Sequence, residues 1–240
     1  MRMSSGLLLG LVLLGAACST SPREQSATGN DRRVAFVRVV NAIPGAAAVD
    51  IFADDQKVFT EVKAGMVAPY REVPRGLTTF RARWAGRDSD SPIADNREIL
   101  RDGKFTTILL RPASDPKQVD MTVLKDHTWM PETGKSKVRV VHAIPGLSDI
   151  DVYSQGKKVL GGVDFKDESR YVEVDAITGD VVLKRRDNQQ VVATVSNVPL
   201  EANKACTVML VGTVDKPETI VLADRAERPP VFPTQYPLGT

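Results

Sequence analysis

The chain has 240 residues, of which 42% are hydrophobic and 26% are charged, a balance typical of a globular protein that can bury a core. Lysine and arginine number 32 against 30 acidic residues, and this net charge of only +2 argues against nucleic acid as a partner. Two cysteines are too few for a disulfide framework, so we expect packing to provide the stability.

Residues 1–17 have the features of a lipoprotein signal peptide. The apolar run at 6–14 is too short to span a bilayer as a helix, and the small residues at 15–17 lead directly to Cys18. This arrangement resembles the lipobox of bacterial lipoproteins, in which cleavage leaves an N-terminal cysteine that carries lipid. Here the leucine lies one position earlier than usual. The sequence predicts lipidation of Cys18, and an ordinary signal peptide cut before an unmodified Cys18 is the alternative.

Residues 18–33 are polar and have no apolar periodicity, so they are predicted to form a disordered tether. Ser19 directly follows the cysteine. With serine at this position, the resemblance to Gram-negative lipoproteins implies sorting to the outer membrane, with a lipid anchor in the cell envelope.

The rest of the chain contains a duplication. The motif VRVVNAIPG at 37–45 recurs as VRVVHAIPG at 138–146, identical at eight of nine positions and offset by 101 residues. The same offset relates VDIF at 49–52 to IDVY at 150–153. We therefore predict two copies of one domain, each with its own core. The boundaries are repeat 1 at 34–126, a linker at 127–136, repeat 2 at 137–225 and a Pro-rich tail at 226–240.

Within each copy the apolar spacing is that of β-strands. Residues 34–40 form a nearly continuous β-branched and aromatic run, which predicts a strand covered on both faces. Residues 78–84 alternate instead, as in a strand with one wet face. The Ile-Pro-Gly triplet after the first strand predicts a type II turn with glycine at positive φ. Further strands are predicted at 49–53, 70–73, 105–111 and 119–124, and the whole pattern indicates an all-β sandwich in each copy.

The paired motifs resemble a secreted bacterial family, the domain of unknown function 4397, which often occurs in tandem. The features shared are VRVVHAIPG, the following apolar-Asp-apolar-aromatic strand and a later strand that starts FTT or CTV. The resemblance implies two tandem immunoglobulin-like β-sandwich domains outside the cytoplasm, without an established activity. At the same offset Cys206 replaces Phe105 and Thr207 replaces Thr106. Cys206 is expected to be a small buried hydrophobe.

His142 is the main candidate for catalysis. It lies at a strand end nine residues before Asp151, so a hydrogen bond between the two is plausible. Because the first copy has Asn41 at this position, a structural hydrogen bond is the favoured interpretation. Asp149, Asp151 and His142 match no metal motif. No catalytic, cofactor or metal site is therefore assigned, and Cys18 is the predicted modification site.

The leading functional hypothesis is a non-catalytic cell-envelope lipoprotein that acts as a binding or structural module. Its partners would be the membrane, through Cys18, and an envelope protein or extracellular-matrix component. One alternative is an extracytoplasmic hydrolase that uses His142 with nearby carboxylates. Another is a carrier of a small ligand in a cleft between the two domains, lined by Trp129. Packing of Trp129 at the seam between the copies is the favoured interpretation of that residue.

Overall fold

The computed structural model describes residues 33–176 and 178–228, which belong to one compact unit, Arg32–Thr240. The described residues do not include Cys18, the predicted signal peptide, nearly all of the predicted tether or the predicted tail beyond residue 228. The described regular structure consists of 17 β-strands. None of the described residues forms a helix of sufficient length and apolarity to cross a membrane.

The first copy contains eight strands in two four-stranded sheets. They are β1 (Val34–Asn41), β2 (Val49–Ala53), β3 (Gln56–Val62), β4 (Val67–Pro74), β5 (Gly76–Trp84), β6 (Ala94–Leu100), β7 (Phe105–Pro112) and β8 (Val119–Lys125). Sheet A has the order β4-β1-β7-β8, and sheet B has the order β3-β2-β5-β6. The pairing of β1 with β7 is parallel, and the other pairs are antiparallel.

The second copy repeats this topology and adds a short edge strand. The strands are β9 (His127–Trp129), β10 (Lys135–His142), β11 (Ile150–Ser154), β12 (Lys157–Val163), β13 (Val172–Asp175), β14 (Thr178–Arg185), β15 (Val191–Pro199), β16 (Ala205–Gly212) and β17 (Pro217–Glu227). Sheet C has the order β13-β10-β16-β17-β9, and sheet D has the order β12-β11-β14-β15. The segment predicted to be a linker therefore contains β9, which pairs with the end of β17.

The predicted all-β fold with a sandwich in each copy is confirmed, and a strand is present at every predicted position in the first copy. Two of its strands, β3 and β6, are not predicted. Glu61 in β3 has φ 51°, because a β-bulge interrupts the alternation there. The sequence of β6, ADNREIL, carries three charged residues and lies at a sheet edge, so it shows little apolar periodicity.

Four layers stack in the order B, A, C, D, because the central strands of sheets A and C are buried on both faces. Val37 and Val39 pack in the core against sheet B, whereas Val40 packs against sheet C. A shared apolar cluster joins sheets A and C; it consists of Val40, Ala42, Leu109, Leu124, Val141, Ala143, Met209, Val211 and Leu222. This second contact explains why β1 is buried on both faces, as its continuous apolar run predicts.

The two copies run in the same direction along this contact, so the body has two distinct ends. At the end where β1 begins, Nζ of Lys104 lies 2.5 Å from the carboxylate of Glu227, at the end of β17. We call this the tether end. At the opposite end both Ile-Pro-Gly turns line a single groove, and we call this the Ile-Pro-Gly end. The turn glycines, Gly45 and Gly146, have φ of 63° and 79°, as a type II turn requires.

Candidate functional site

A cluster of charged and hydroxyl side chains lies between sheets A and C and is built equally from both copies. We call it the interface cluster; its members are Arg38, Tyr70, Thr107 and Asp126 from the first copy and Arg139, Tyr171, Thr207 and Asp224 from the second. The arginine and aspartate side chains are at most 6% exposed. At such burial an unpaired charge would be costly, so the pairing of these groups matters.

Each arginine of the cluster reaches across to the other copy. Nη2 of Arg38 donates to Oδ1 of Asp224 at 2.6 Å. Nη1 of Arg38 donates to the carbonyl oxygen of the residue before Asp224 at 2.9 Å. Nη2 of Arg139 donates to Oδ1 of Asp126 at 2.7 Å. Nη1 of Arg139 donates to the carbonyl oxygen of the residue before Asp126 at 3.0 Å. Because the two sets of contacts are equivalent, the copies face each other about a pseudo-two-fold axis.

The remaining hydrogen bonds of the cluster stay within one copy. Nε of Arg38 donates to Oγ1 of Thr107 at 2.7 Å. Thr107 and Tyr70 both donate to Oδ2 of Asp126, the tyrosine at 2.9 Å. The second copy repeats these contacts, with Nε of Arg139 2.7 Å from its threonine. Both carboxylates are thus satisfied by protein groups, which suits the cluster to hold the copies in register.

The electrostatics of the cluster agree with this pattern of donors. Burial, together with the Asp126 carboxylate, raises the pKa of Tyr70, so the hydroxyl keeps the proton it donates. Burial also raises the pKa of Asp224 above its ordinary value. Burial alone would lower the pKa of Arg139, but Tyr171 and Asp224 more than offset this and the pKa is raised. Arg139 therefore remains charged.

The motifs and the apolar spacing of the sequence do not predict this cluster, although the sequence contains a signal for it. Arg38 and Arg139 interrupt the apolar residues of the same VRVV run in each copy. A charged residue in a strand covered on both faces must be buried and needs a buried partner. The partner of Arg38 is 186 residues away in the chain, so local sequence does not reveal it.

His142 is fully buried and holds its Ile-Pro-Gly turn. Nδ1 accepts from the backbone NH of Ile144 at 3.2 Å, and Nε2 lies 3.3 Å from the carbonyl oxygen of Ser148. Burial lowers the pKa of His142, which keeps the ring neutral with its hydrogen on Nε2. In the first copy Asn41 likewise accepts from the backbone NH of Ile43 at 3.2 Å. This geometry matches the structural interpretation and gives no support to a hydrolase, since a general base must reach its substrate.

The plausible hydrogen bond between His142 and Asp151 is not formed, because Asp151 has other partners. It accepts from Nζ of Lys158 at 2.6 Å and from the backbone NH of Gly162 at 3.1 Å. Asp50 makes the two equivalent contacts in the first copy, at 2.9 and 2.8 Å. The aspartate of the apolar-Asp-apolar-aromatic motif thus holds a bulged neighbouring strand. Among residues 33–176 and 178–228, no group of three or more His, Cys, Asp or Glu could hold a metal ion.

Trp129 is not buried in the seam between the copies, contrary to that expectation. It is the last residue of β9, at the edge of sheet C, and the residue is 52% exposed. The space between sheets A and C is filled by the shared apolar cluster and the interface cluster. The hypothesis of a ligand carrier therefore loses the residue on which it depended.

The strand register corrects one part of the alignment between the copies. Cys206 takes the place of Thr106 and not of Phe105, and Thr207 corresponds to Thr107. The second copy is thus one residue shorter before this strand, which reduces the offset from 101 to 100. Burial raises the pKa of the Cys206 thiol to about 12, so the side chain is a small buried hydrophobe with little thiolate.

A groove of about 550 Å³ opens at the Ile-Pro-Gly end and is lined by both copies. Ile43 and Pro44 come from the first turn, Pro145 comes from the second, and Val214 comes from the β16–β17 loop. Val214 is 43% exposed, and Asp215 is the charged residue of the lining. Such a surface suits an extended apolar segment better than a charged small molecule.

One family of known proteins matches both copies of the chain. The family model described as "Domain of unknown function (DUF4397)" matches residues 35–146 and 136–231. A crystal structure described as "putative polysaccharide binding proteins (DUF1812)" from Bacteroides thetaiotaomicron is 10% identical in sequence and covers 74% of this chain and 92% of that chain, with a TM-score of 0.17. The comparison with curated proteins found no match.

Proposed function

We propose that this chain, which belongs to the family described as domain of unknown function DUF4397, is a lipid-anchored, non-catalytic binding module of the cell envelope. The two matched regions span both copies, and the resemblance carried by the duplicated motif is thereby confirmed. The proposal includes a lipid anchor at Cys18, a location in the cell envelope and a binding partner there.

The observation that carries the proposal is the contrast between the interior and the surface. Arg38 and Arg139, together with the aspartates they contact, join the two copies. His142 and Asp151 bind backbone groups of a turn and of a bulge. The groove at the Ile-Pro-Gly end is apolar and lies at the end opposite to the start of β1. A folded body that presents an apolar groove fits binding better than catalysis.

The position of the groove also fits a tethered protein. Residues 18–33 join the body at the tether end, so a lipid on Cys18 would restrain that end and leave the groove facing away from the anchor. An extended apolar segment of another envelope protein is the occupant that this geometry favours, because such a segment contacts both turns at once. An extracellular-matrix protein could supply the same kind of segment.

The anchor is tested by the intact mass of the protein isolated from its native membrane. We expect a chain that starts at Cys18 and carries acyl chains, and a Cys18→Ser version that is not acylated and leaves the membrane fraction. A native protein without lipid, found in the soluble fraction, would refute the anchor.

The binding face is tested by photocrosslinking in intact cells. A photoreactive residue at Val214 is expected to capture one recurrent envelope protein. A photoreactive residue at Val191, which is 51% exposed on the edge strand β15, is the matched control and should not capture it. Equal capture at both positions, or none at Val214, would refute the groove as the binding face.

A further inference from the structure

The tether end of the first copy carries a second, cationic groove. It has a volume of about 270 Å³ and lies where sheets A and B open at the start of β7. Its lining includes the basic residues Arg101, Lys104 and Lys125, the acidic residue Glu98 and the apolar residues Ile99 and Phe105. Lys104 is paired with Glu227 at 2.5 Å, whereas Arg101 and Lys125 are exposed. The groove is thus basic and has an apolar rim.

Exposed apolar side chains surround this groove. Ile99 pairs with Leu77 across β5 and β6, and the two are 61% and 53% exposed. Trp129 projects from the same face of β9 as His127, which lines the groove. Leu77, Ile99 and Trp129 are three of the seven large apolar residues that are exposed in the described part of the chain. Such side chains are costly in water, so their grouping at one end needs an explanation.

The fold itself does not require this surface, because the second copy lacks it. The register places Ala205 where the first copy has Phe105, and Ala223 where it has Lys125. Two copies with the same topology thus differ at this site. The aromatic and basic groups are properties of one copy and not of the architecture.

The groove also lies where a lipid anchor would hold the protein. The backbone NH of Gly103, beside the groove, donates to the carbonyl oxygen of Val34, the first residue of β1, at 2.7 Å. The 16 residues at 18–33 reach at most roughly 55 Å when fully extended. A lipid on Cys18 therefore keeps this end within that distance of the bilayer.

We propose that the tether end rests on a bilayer surface that contains anionic phospholipid. Arg101 and Lys125 contact lipid phosphates, while Ile99, Leu77 and Trp129 enter the interfacial region, where tryptophan is favoured. The excess of basic over acidic groups in the groove complements an anionic surface. This contact rests on the proposed lipid anchor and orients the Ile-Pro-Gly end away from the membrane.

The test uses the processed chain from Ser19 onward, which lacks both the apolar leader and the lipid-bearing cysteine. Its sedimentation is measured with vesicles of phosphatidylcholine alone and of phosphatidylcholine with phosphatidylglycerol. We expect binding to the anionic vesicles only, weakening as salt is raised. Replacing Arg101 and Lys125 together by glutamine should weaken binding about 25-fold, since each basic residue near the surface contributes about fivefold.

The matched control is Lys216→Gln, because Lys216 is 83% exposed at the Ile-Pro-Gly end. This change should leave vesicle binding within about twofold of the parent chain. Trp129→Ser should weaken binding without removing its salt dependence. Equal binding to neutral vesicles, no binding to anionic vesicles, or an equal loss in the Lys216 control would overturn the proposal. So would capture of a protein partner from the Trp129 position in a chain that does not bind vesicles.

The two proposals fail separately. Vesicle binding by the chain from Ser19 does not depend on acylation, so a native protein without lipid would refute the anchor and leave the surface intact. An acylated protein whose soluble chain ignores anionic vesicles would keep the anchor and refute the surface.

Discussion

Asp224→Asn should destabilise the whole described body, because it removes one of two buried negative charges that oppose two buried arginines. In the parent cluster Arg38 pairs with Asp224, and Arg139 pairs with Asp126. In the variant, Asp126 remains 2.7 Å from Arg139 and 3.4 Å from Arg38. One carboxylate is then left between two guanidinium groups, and the interior between sheets A and C gains an uncompensated positive charge.

The expected cost follows from this count of charges. Removal of one partner from a buried ion pair typically costs about 3–5 kcal/mol. Glu168 also accepts from Arg139 at 2.7 Å, but its side chain is 44% exposed and offsets only part of the loss. We therefore expect a decrease of about 3 kcal/mol in the free energy of unfolding. A second change, Arg38→Met, should restore much of it, because Arg139 and Asp126 then remain as a neutral pair.

The assay is equilibrium unfolding in urea, followed by circular dichroism and by tryptophan fluorescence. The matched control is Asp55→Asn, at a fully exposed aspartate 3.7 Å from Arg81, and it should change stability by less than about 0.5 kcal/mol. A loss of stability in Asp224→Asn no larger than that of the control would contradict the stabilising role of the buried ion pairs. So would losses from Arg38→Met and Asp224→Asn that simply add in the double variant.

Three further predictions concern single residues. Burial lowers the pKa of His142, so the unfolded chain takes up a proton first as pH falls below about 6.5, and stability should fall by up to about 1.4 kcal/mol per pH unit. His142→Asn should remove most of this acid sensitivity in urea titrations, whereas His127→Asn, at a less buried histidine with the same direction of shift, should remove less. The thiol of Cys206 should not react with Ellman's reagent until the protein unfolds, and fast labelling of the native protein would contradict its burial. Gly212→Ala should destabilise by more than about 1 kcal/mol, because Gly212 has φ +96° and a Cβ there would lie 2.5 Å from a backbone oxygen. Gly103→Ala, at φ +66° with open space around the Cβ, should cost less in the same thermal melts.

Features that depend on neighbouring residues could be predicted from the sequence. The alternation over residues 78–84 predicts β5, and the triplet at Ile43 predicts a turn whose glycine has positive φ. Both depend on local sterics and on a two-residue period, which the chain displays directly. The strands β3 and β6 escape prediction because a bulge and a sheet edge remove that period.

The candidate sites could be predicted only in part. Asn41 in place of His142 suggests a structural role, since both side chains can accept from a turn NH, and the two geometries agree. Trp129 could not be placed, because β9 is three residues long and exists through pairing with β17. The cationic groove could not be predicted either, since its lining residues come from two stretches of the chain, 98–106 and 125–127, that meet only in the tertiary structure.

The sequence by itself determines that this protein has two copies of one β-rich domain, where their main strands lie and where each first strand turns. Tertiary structure alone decides that sheet A packs on sheet C, that Arg38 is neutralised by Asp224, and that both Ile-Pro-Gly turns share one groove. The physical reason is that periodicity records which faces of a strand are apolar but not which surface covers them. That choice depends on contacts between residues as much as 186 positions apart, which form only when both sandwiches are folded and packed.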